Sequence, residues 1–166
     1  MCIYLGYTQI MIKTIILSIC LMGTVIFANE QKENKHLTYD VSVSLLKNIH
    51  NDAIVLGNGD KLLYAFIDPL CPHSKKFISM VTKNPKMLSK YQYHLFLYSI
   101  PRLNSTDVVS AVYQSLNPVE TLLQIMIEEK VHSEKGTETT KTKVDRITTV
   151  AQEIDVHKRP YIYIIK

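Results

Sequence analysis

A chain of 166 residues that is 46% apolar and 20% charged, with five glycines, has the makeup of one folded domain, which excludes disorder and low-complexity architectures. The formal net charge is +4, from 19 basic and 15 acidic residues, and no five like charges run together. The excess therefore does not form the basic patch that a nucleic-acid partner requires, and none is expected.

The first predicted element is a targeting segment. From Met11 the chain reads MIKTIILSICLMGTVIFANE: one lysine, an apolar run Ile15–Phe27, then Ala28 before a polar stretch. That order describes a secretory signal over residues 1–28 with cleavage after Ala28 and delivery to the periplasm. The ten residues before Met11 carry no charge, which makes Met11 the alternative start. A retained inner-membrane anchor is the alternative reading, since the apolar run is near the lower limit for spanning. Cleavage removes Cys2 and Cys20 and leaves Cys71 as the lone thiol of the mature protein. In an oxidising compartment that thiol cannot be half of an internal disulfide.

Asn29–Lys35 reads as a polar linker. Thr38 caps a short helix with Val41, Leu45 and Ile49 at helical spacing. Ala53–Leu56 reads as a strand, and Gly57-Asn58-Gly59-Asp60 as the turn of a hairpin joining it to the next strand. That next strand, Leu62–Ile67, is continuously apolar, as a strand buried on both faces would be. Asp68 and Pro69 end it. Cys71, Pro72, His73 and Ser74 follow, and Lys75 and Lys76 open a helix with Phe77, Met80 and Val81 on one face. A cysteine at a strand-to-helix turn lies where unpaired N–H groups and the helix dipole favour an anion, and His73, Lys75 and Lys76 add positive charge. The competing reading is a packed, inert cysteine, against which the flanking proline and cations argue.

Tyr91–Ile100 reads as a second strand ended by Pro101, reached by a parallel right-handed crossover. Ser105 leads a helix with Val108, Val109, Val112 and Leu116 on one face. Asn117-Pro118-Val119-Glu120 is a helix start with cap, Pro at N1 and an acid at N3, and Leu122, Leu123 and Met126 line its buried side. His132–Thr142 reads as a loop. Val144, Ile147, Ala151 and Ile154 mark a last helix, and Pro160 opens a β-rich run, Tyr161–Ile165.

The segment F-x-D-P-x-C-P-H-x-x-x-F around Cys71, with Y-x-I-P-R-L-x-S-T after the second strand, resembles the thioredoxin-fold thiol–disulfide oxidoreductases, most closely the periplasmic disulfide isomerases of the DsbC/DsbG type. The resemblance implies an α/β thioredoxin-like fold over residues 51–166, with a helical insertion between its second and third core strands. Residues 29–50 would form the polar linker and short helix. The family's separate dimerisation domain does not fit in the roughly 25 residues between Ala28 and Asn51, since such a domain needs about 50 or more. The family's last strand and closing helix have no counterpart before Lys166, so Tyr161–Ile165 is expected as a sheet edge.

The resemblance further implies that Cys71 is the nucleophile and that Pro160 is a cis-proline beside it, whose neighbouring backbone pairs with an extended substrate. The family's second cysteine is replaced by Ser74, so the motif is C-x-x-S and no resolving thiol is present. Ser74 is expected to donate a weak hydrogen bond to Cys71, with His73, Lys75 and Arg159 tuning the thiolate. Arg159 stands in Lys158-Arg159-Pro160 where the family usually has G-T-P, and its cation is expected near Cys71. Pro72, Arg159 and Pro160 are the expected substrate-binding residues. The implied partners are extended or misfolded exported proteins bearing cysteines, with an external thiol or redox partner. No cofactor and no metal are expected, since His73, His94, His132 and His157 show no ligand spacing. Two functions compete: a monothiol disulfide isomerase-like enzyme, and a non-enzymatic relic or chaperone-like module that holds polypeptides.

Overall fold

The computed structural model describes residues 37–165; the expected signal segment (1–28) and the expected polar linker Asn29–Lys35 lie outside them. Thr38 caps α1 (Tyr39–Asn48), its Oγ1 accepting from Val41 N. The stripe that goes inward is Ser42, Val43 and Leu46, followed by Ile49 at the C-cap, while Val41 is exposed. Both this stripe and the expected Val41–Leu45–Ile49 stripe have helical spacing. Packing of Leu46 and Ile49 against Tyr64, Phe66 and Phe96 decides between them.

The expected hairpin does not form. β1 (Ile54–Leu56) pairs antiparallel with β3 (Tyr91–Leu97), placing Ile54 opposite Leu95 and Leu56 opposite Tyr93. β2 (Lys61–Ile67) lies on the far side of β3 and pairs with it in parallel, from Lys61–Tyr91 to Ile67–Leu97. The glycine turn serves this arrangement. Asn58 N donates to Leu88 O and Gly59 N to Tyr91 O, so the turn runs across the start of β3 instead of closing on itself. A Cβ on Gly59 would lie 2.0 Å from the Lys90 carbonyl carbon, and Gly57 has a φ of +82° with Tyr91 O 2.5 Å from its would-be Cβ. Both positions need glycine for close backbone approach.

The parallel crossover runs through α2 (Pro72–Thr82) and a helix that the sequence reading lacks, α3 (Pro85–Lys90). Its start carries the same signal as the later Asn117-Pro118 helix: Asn84 Oδ1 accepts from Lys86 N, with Pro85 in the first turn. β3 ends at Leu97, three residues before the expected Ile100. Tyr98 N still reaches Ile67 O at 2.8 Å, but there β2 itself ends.

Three helices separate β3 from β4, as the resemblance implied: α4 (Thr106–Gln114), α5 (Pro118–Met126) and α6 (Glu138–Glu153). Val109 and Val112 are buried on α4, but Leu116 lies beyond its end and is fully exposed. On α5, Asn117 Oδ1 accepts from Glu120 N while Asn117 Nδ2 donates to the Glu120 carboxylate. Leu122, Ile125 and Met126 are buried there, with Leu123 half-buried. α6 starts inside the expected loop, at Glu138, because Thr137 caps it by accepting from Thr140 N.

β4 (Tyr161–Ile164) pairs antiparallel with β2, giving the order β1-β3-β2-β4, with β4 at the edge among the described residues. One face of the sheet buries Ala65, Ile67, Leu95 and Leu97 under Ile78, Val81, Leu122 and Ile125. The other buries Tyr64, Phe66 and Phe96 under Leu46, Ile147, Ala151 and Ile154. Strands covered on both faces explain the unbroken apolar run that ends β2. A bidentate pair, Arg146 Nε and Nη2 on the Asp52 carboxylate at 2.9 and 2.7 Å, ties α6 to the turn before β1.

Candidate functional site

The end of β2, the start of α2, the exit of β3 and the approach to β4 meet at Cys71. Asp68 organises this meeting. Its side chain is fully buried, and its carboxylate accepts from Leu70 N at 2.8 Å, from Ser105 Oγ at 2.6 Å and from Ile100 N. Its carbonyl accepts from Cys71 N at 3.1 Å, and its own N–H donates to Ser74 Oγ at 3.2 Å. A carboxylate has only acceptor sites, so three converging donors satisfy it without a counter-ion. One residue thereby fixes the turn before the cysteine, the loop after β3 and the start of α4.

Cys71 is the N-cap of α2, with Pro72 at the first position, and its carbonyl accepts from Lys75 N at 2.9 Å. It is a free cysteine, 3% exposed. Pro72 and His73 are exposed and Lys75 is half-buried, while Ser74 is fully buried. The hydrogen bond that positions Ser74 runs to Asp68 N, at the strand end.

The chain returns to the cysteine 88 residues later. Cys71 Sγ lies 3.8 Å from the Arg159 carbonyl oxygen, with the thiol as donor, and the Arg159–Pro160 bond is cis. What Arg159 brings to the sulfur is thus its backbone. Its guanidinium is held by the β3 exit: Nε donates to Tyr98 O and Nη2 to Ser99 O, each at 3.3 Å, and the group lies 3.8 Å over the Tyr98 ring. Two carbonyls and a ring face hold a planar cation better than a thiol does.

An open groove of about 420 Å³, lined by Lys158, Pro160, Tyr161, Ile162 and Tyr163, continues from this point along β4. Ile162 and Ile164 are exposed beside it, at 42% and 57%. A second cleft, between the end of α1 and α6, contains none of the predicted site residues. Among the described residues, no three His, Cys, Asp or Glu side chains are arranged to hold a metal ion.

The structure therefore brings Cys71, Ser74 and the Arg159–Pro160 backbone together, with Pro72 and His73 on the surface beside them. The sequence reading missed Asp68 as an organiser, Ser105 as its donor, and the Tyr98 and Ser99 carbonyls as the partners of Arg159. Asp68, Tyr98 and Ser105 did stand in the segments that carry the resemblance, but nothing in the pattern marks Ser99.

No family model matches the chain, and no curated protein matches it. Solved structures do match. Helicobacter pylori DsbG aligns with a TM-score of 0.60 at 23% identity, over 76% of this chain and 61% of that one. The catalytic domain of Proteus mirabilis ScsC aligns at 0.57 and 11% identity, over 76% and 86%. A periplasmic thioredoxin-like protein of Salmonella enterica serovar Typhimurium aligns at 0.55 and 12% identity, over 77% and 86%. The chain thus spans about three fifths of the length of the Helicobacter pylori structure. At these identities what the likeness establishes is architecture: residues 37–165 have an α/β thioredoxin-like fold, with three helices inserted between β3 and β4.

Proposed function

We propose that this chain performs thiol–disulfide exchange through Cys71, as a monothiol disulfide isomerase-like protein of the periplasm. The observation that carries the reading is the placement of a free cysteine at the N-cap of α2, with its sulfur against the Arg159 carbonyl of the cis Arg159–Pro160 pair.

The Cys71 thiolate attacks one sulfur of a substrate disulfide; an S–S bond forms to Cys71, the substrate's own S–S bond breaks, and the released thiolate takes up a proton. With Ser74 in place of a second cysteine, the mixed disulfide is not resolved from within. A substrate thiolate that attacks the Cys71-bound sulfur closes a different disulfide and expels Cys71, which is isomerisation without net redox change. An external thiol does the same at the cost of its own oxidation. Pro72, Pro160 and the backbone of Arg159 would receive an extended substrate, His73 and Lys75 would supply positive charge, and the groove along Pro160–Tyr163 has room for the flanking chain.

The competing reading, a chaperone-like module that holds exported polypeptides without chemistry, draws support from a different observation. Ile162 and Ile164 are exposed along an edge strand next to that groove, while Cys71 is 3% exposed. Refolding of a protein with scrambled disulfides separates the two. Catalysis should vanish in Cys71→Ala, whereas suppression of aggregation should persist; unchanged refolding in Cys71→Ala would eliminate the exchange reading.

Export rests on the signal-like segment, and N-terminal sequencing of the exported protein should begin at Asn29. Recovery of the uncleaved chain in the membrane fraction would favour the anchored alternative. Among the described residues no helix is long and apolar enough to cross a membrane.

A further inference from the structure

The residue before Pro160 is a second place, after Ser74, where this chain departs from the family it resembles, and its side chain is built into the site. The Arg159 guanidinium reaches two successive carbonyls, Tyr98 O and Ser99 O, while lying over the Tyr98 ring. The carbonyl of the same residue faces Cys71 Sγ. Tyr98 N is held on Ile67 O, and Ile100 N on the carboxylate of Asp68, whose own carbonyl holds Cys71 N. These contacts close a ring: Cys71, Asp68, the β3 exit, the Arg159 guanidinium, the Arg159 carbonyl and back to Cys71.

We propose that Arg159 is a positioning residue, a strap that ties the Lys158–Pro160 segment to the β3 exit and so sets how far the Cys71 thiol is open to reagents. The low exposure of Cys71, 3%, is the state such a strap maintains. The role needs a planar fork. A lysine keeps the charge but offers one compact, strongly hydrated donor group that cannot lie flat on a ring and bond two neighbouring carbonyls. Charge and strap therefore make opposite demands on a lysine at this position. The proposal rests on Cys71 being the working nucleophile, and the test below separates the two.

The full chain is compared with Arg159→Lys, Arg159→Ala and Tyr98→Leu, with Arg102→Ala as the control for loss of a nearby exposed cation. The first readout is the limiting alkylation rate of Cys71 by iodoacetamide, an uncharged reagent, at a pH where the thiol is fully ionised and access alone is read. The rate should rise about tenfold in both Arg159 variants, the scale of one or two lost hydrogen bonds. It should rise several-fold in Tyr98→Leu, which removes the ring under the guanidinium, and stay level in Arg102→Ala. A wild-type rate in Arg159→Lys overturns the strap. So does a rate within about twofold of wild type in Arg159→Ala, or, should the Arg159 variants not fold, in folded Tyr98→Leu.

The second readout is mixed-disulfide formation with an extended peptide that carries a disulfide. If no variant and no wild-type protein forms it while the alkylation pattern holds, the exchange reading falls and the strap stands. If the wild type forms it and alkylation ignores Arg159, the strap falls and the exchange reading stands.

Discussion

Replacing Asp68 by asparagine keeps the shape of the side chain and removes its ability to accept on both sides. In the wild type one oxygen takes Leu70 N and the other takes Ile100 N and Ser105 Oγ, in full burial. An amide oxygen can serve one side only. If it stays with Leu70 N, the amide N–H₂ faces Ile100 N, a donor against a donor. Ser105 can rotate its hydroxyl to accept, but Ile100 N is left without a partner. Losing a hydrogen bond to a charged group costs about 1.5–3 kcal/mol, and an unpaired buried donor costs about 1–3 kcal/mol. These overlap and do not add, so Asp68→Asn should destabilise by about 2–4 kcal/mol, against a total near 5–15 kcal/mol for a domain. The melting point should fall by roughly 5–15 °C for a chain of this size. Urea unfolding followed by circular dichroism measures the difference directly, with the slope expected to stay unchanged. Ser105→Ala removes one of the three donors and leaves the carboxylate two, so it should cost about 1.5 kcal/mol, the low end of that range. In the double variant the two effects should be strongly non-additive. A loss under about 1 kcal/mol for Asp68→Asn would refute the claim that this carboxylate holds the three segments together.

Acid should also weaken the fold through His94. The ring is 3% exposed and stacked 4.2 Å from His50, and burial, followed by the nearby His50, holds its pKa below the usual histidine value. The unfolded chain then takes up a proton near the unperturbed ~6.5 while the folded one does not, so His94's stabilising contribution is full above that pH and declines as pH falls below it. Stability against urea between pH 8 and 5 should show this decline, and His94→Gln should flatten it; an equal decline in the variant would assign it to other groups. For the Asp52–Arg146 pair, in which the arginine is half-exposed, a double-mutant cycle with alanine should return a coupling near 1 kcal/mol that shrinks in high salt. Gly59→Ala should cost at least about 1–3 kcal/mol, because its new Cβ meets backbone at Lys90 and not a movable side chain. A variant as stable as wild type would show that the β1–β2 connection has room to shift.

Asn117-Pro118 announced a helix by its cap, and the unbroken apolar run Leu62–Ile67 announced a strand covered on both faces. Asn84-Pro85 carries the same cap signal, with only a six-residue helix after it, and the sequence reading lacks that helix. The errors fall where the answer depends on a partner distant in sequence. Gly57–Asp60 is a legitimate hairpin turn in isolation, and only the arrival of β3 between β1 and β2 makes it something else. Val41 and Val43 are equally apolar and both fit a helical stripe on α1; Val43 is the one buried, on the helix whose Leu46 packs against Phe66 and Phe96. The same limit governed the site. The cysteine, its helix and the proline were legible from residue types, whereas the direction of the Arg159 side chain was not. It depends on two main-chain carbonyls and one ring, all more than 50 residues away in sequence.

Ser74 shows how such a distant constraint bears on chemistry. In a C-x-x-S motif the serine is naturally read as a weakened partner of the cysteine, one turn along the same helix. Here the side chain is fully buried and its oxygen accepts from Asp68 N, the residue that also holds Cys71 N through its carbonyl. The hydroxyl thus acts on the cysteine through the turn that both residues share. A hydroxyl bonds that amide well, and a thiol accepts only weakly. Ser74→Cys would therefore supply a second sulfur while loosening the turn that positions the first. On the proposed exchange reading, whatever resolves a mixed disulfide at Cys71 would have to come from outside the domain, because the hydroxyl at the third position after the cysteine already holds the turn.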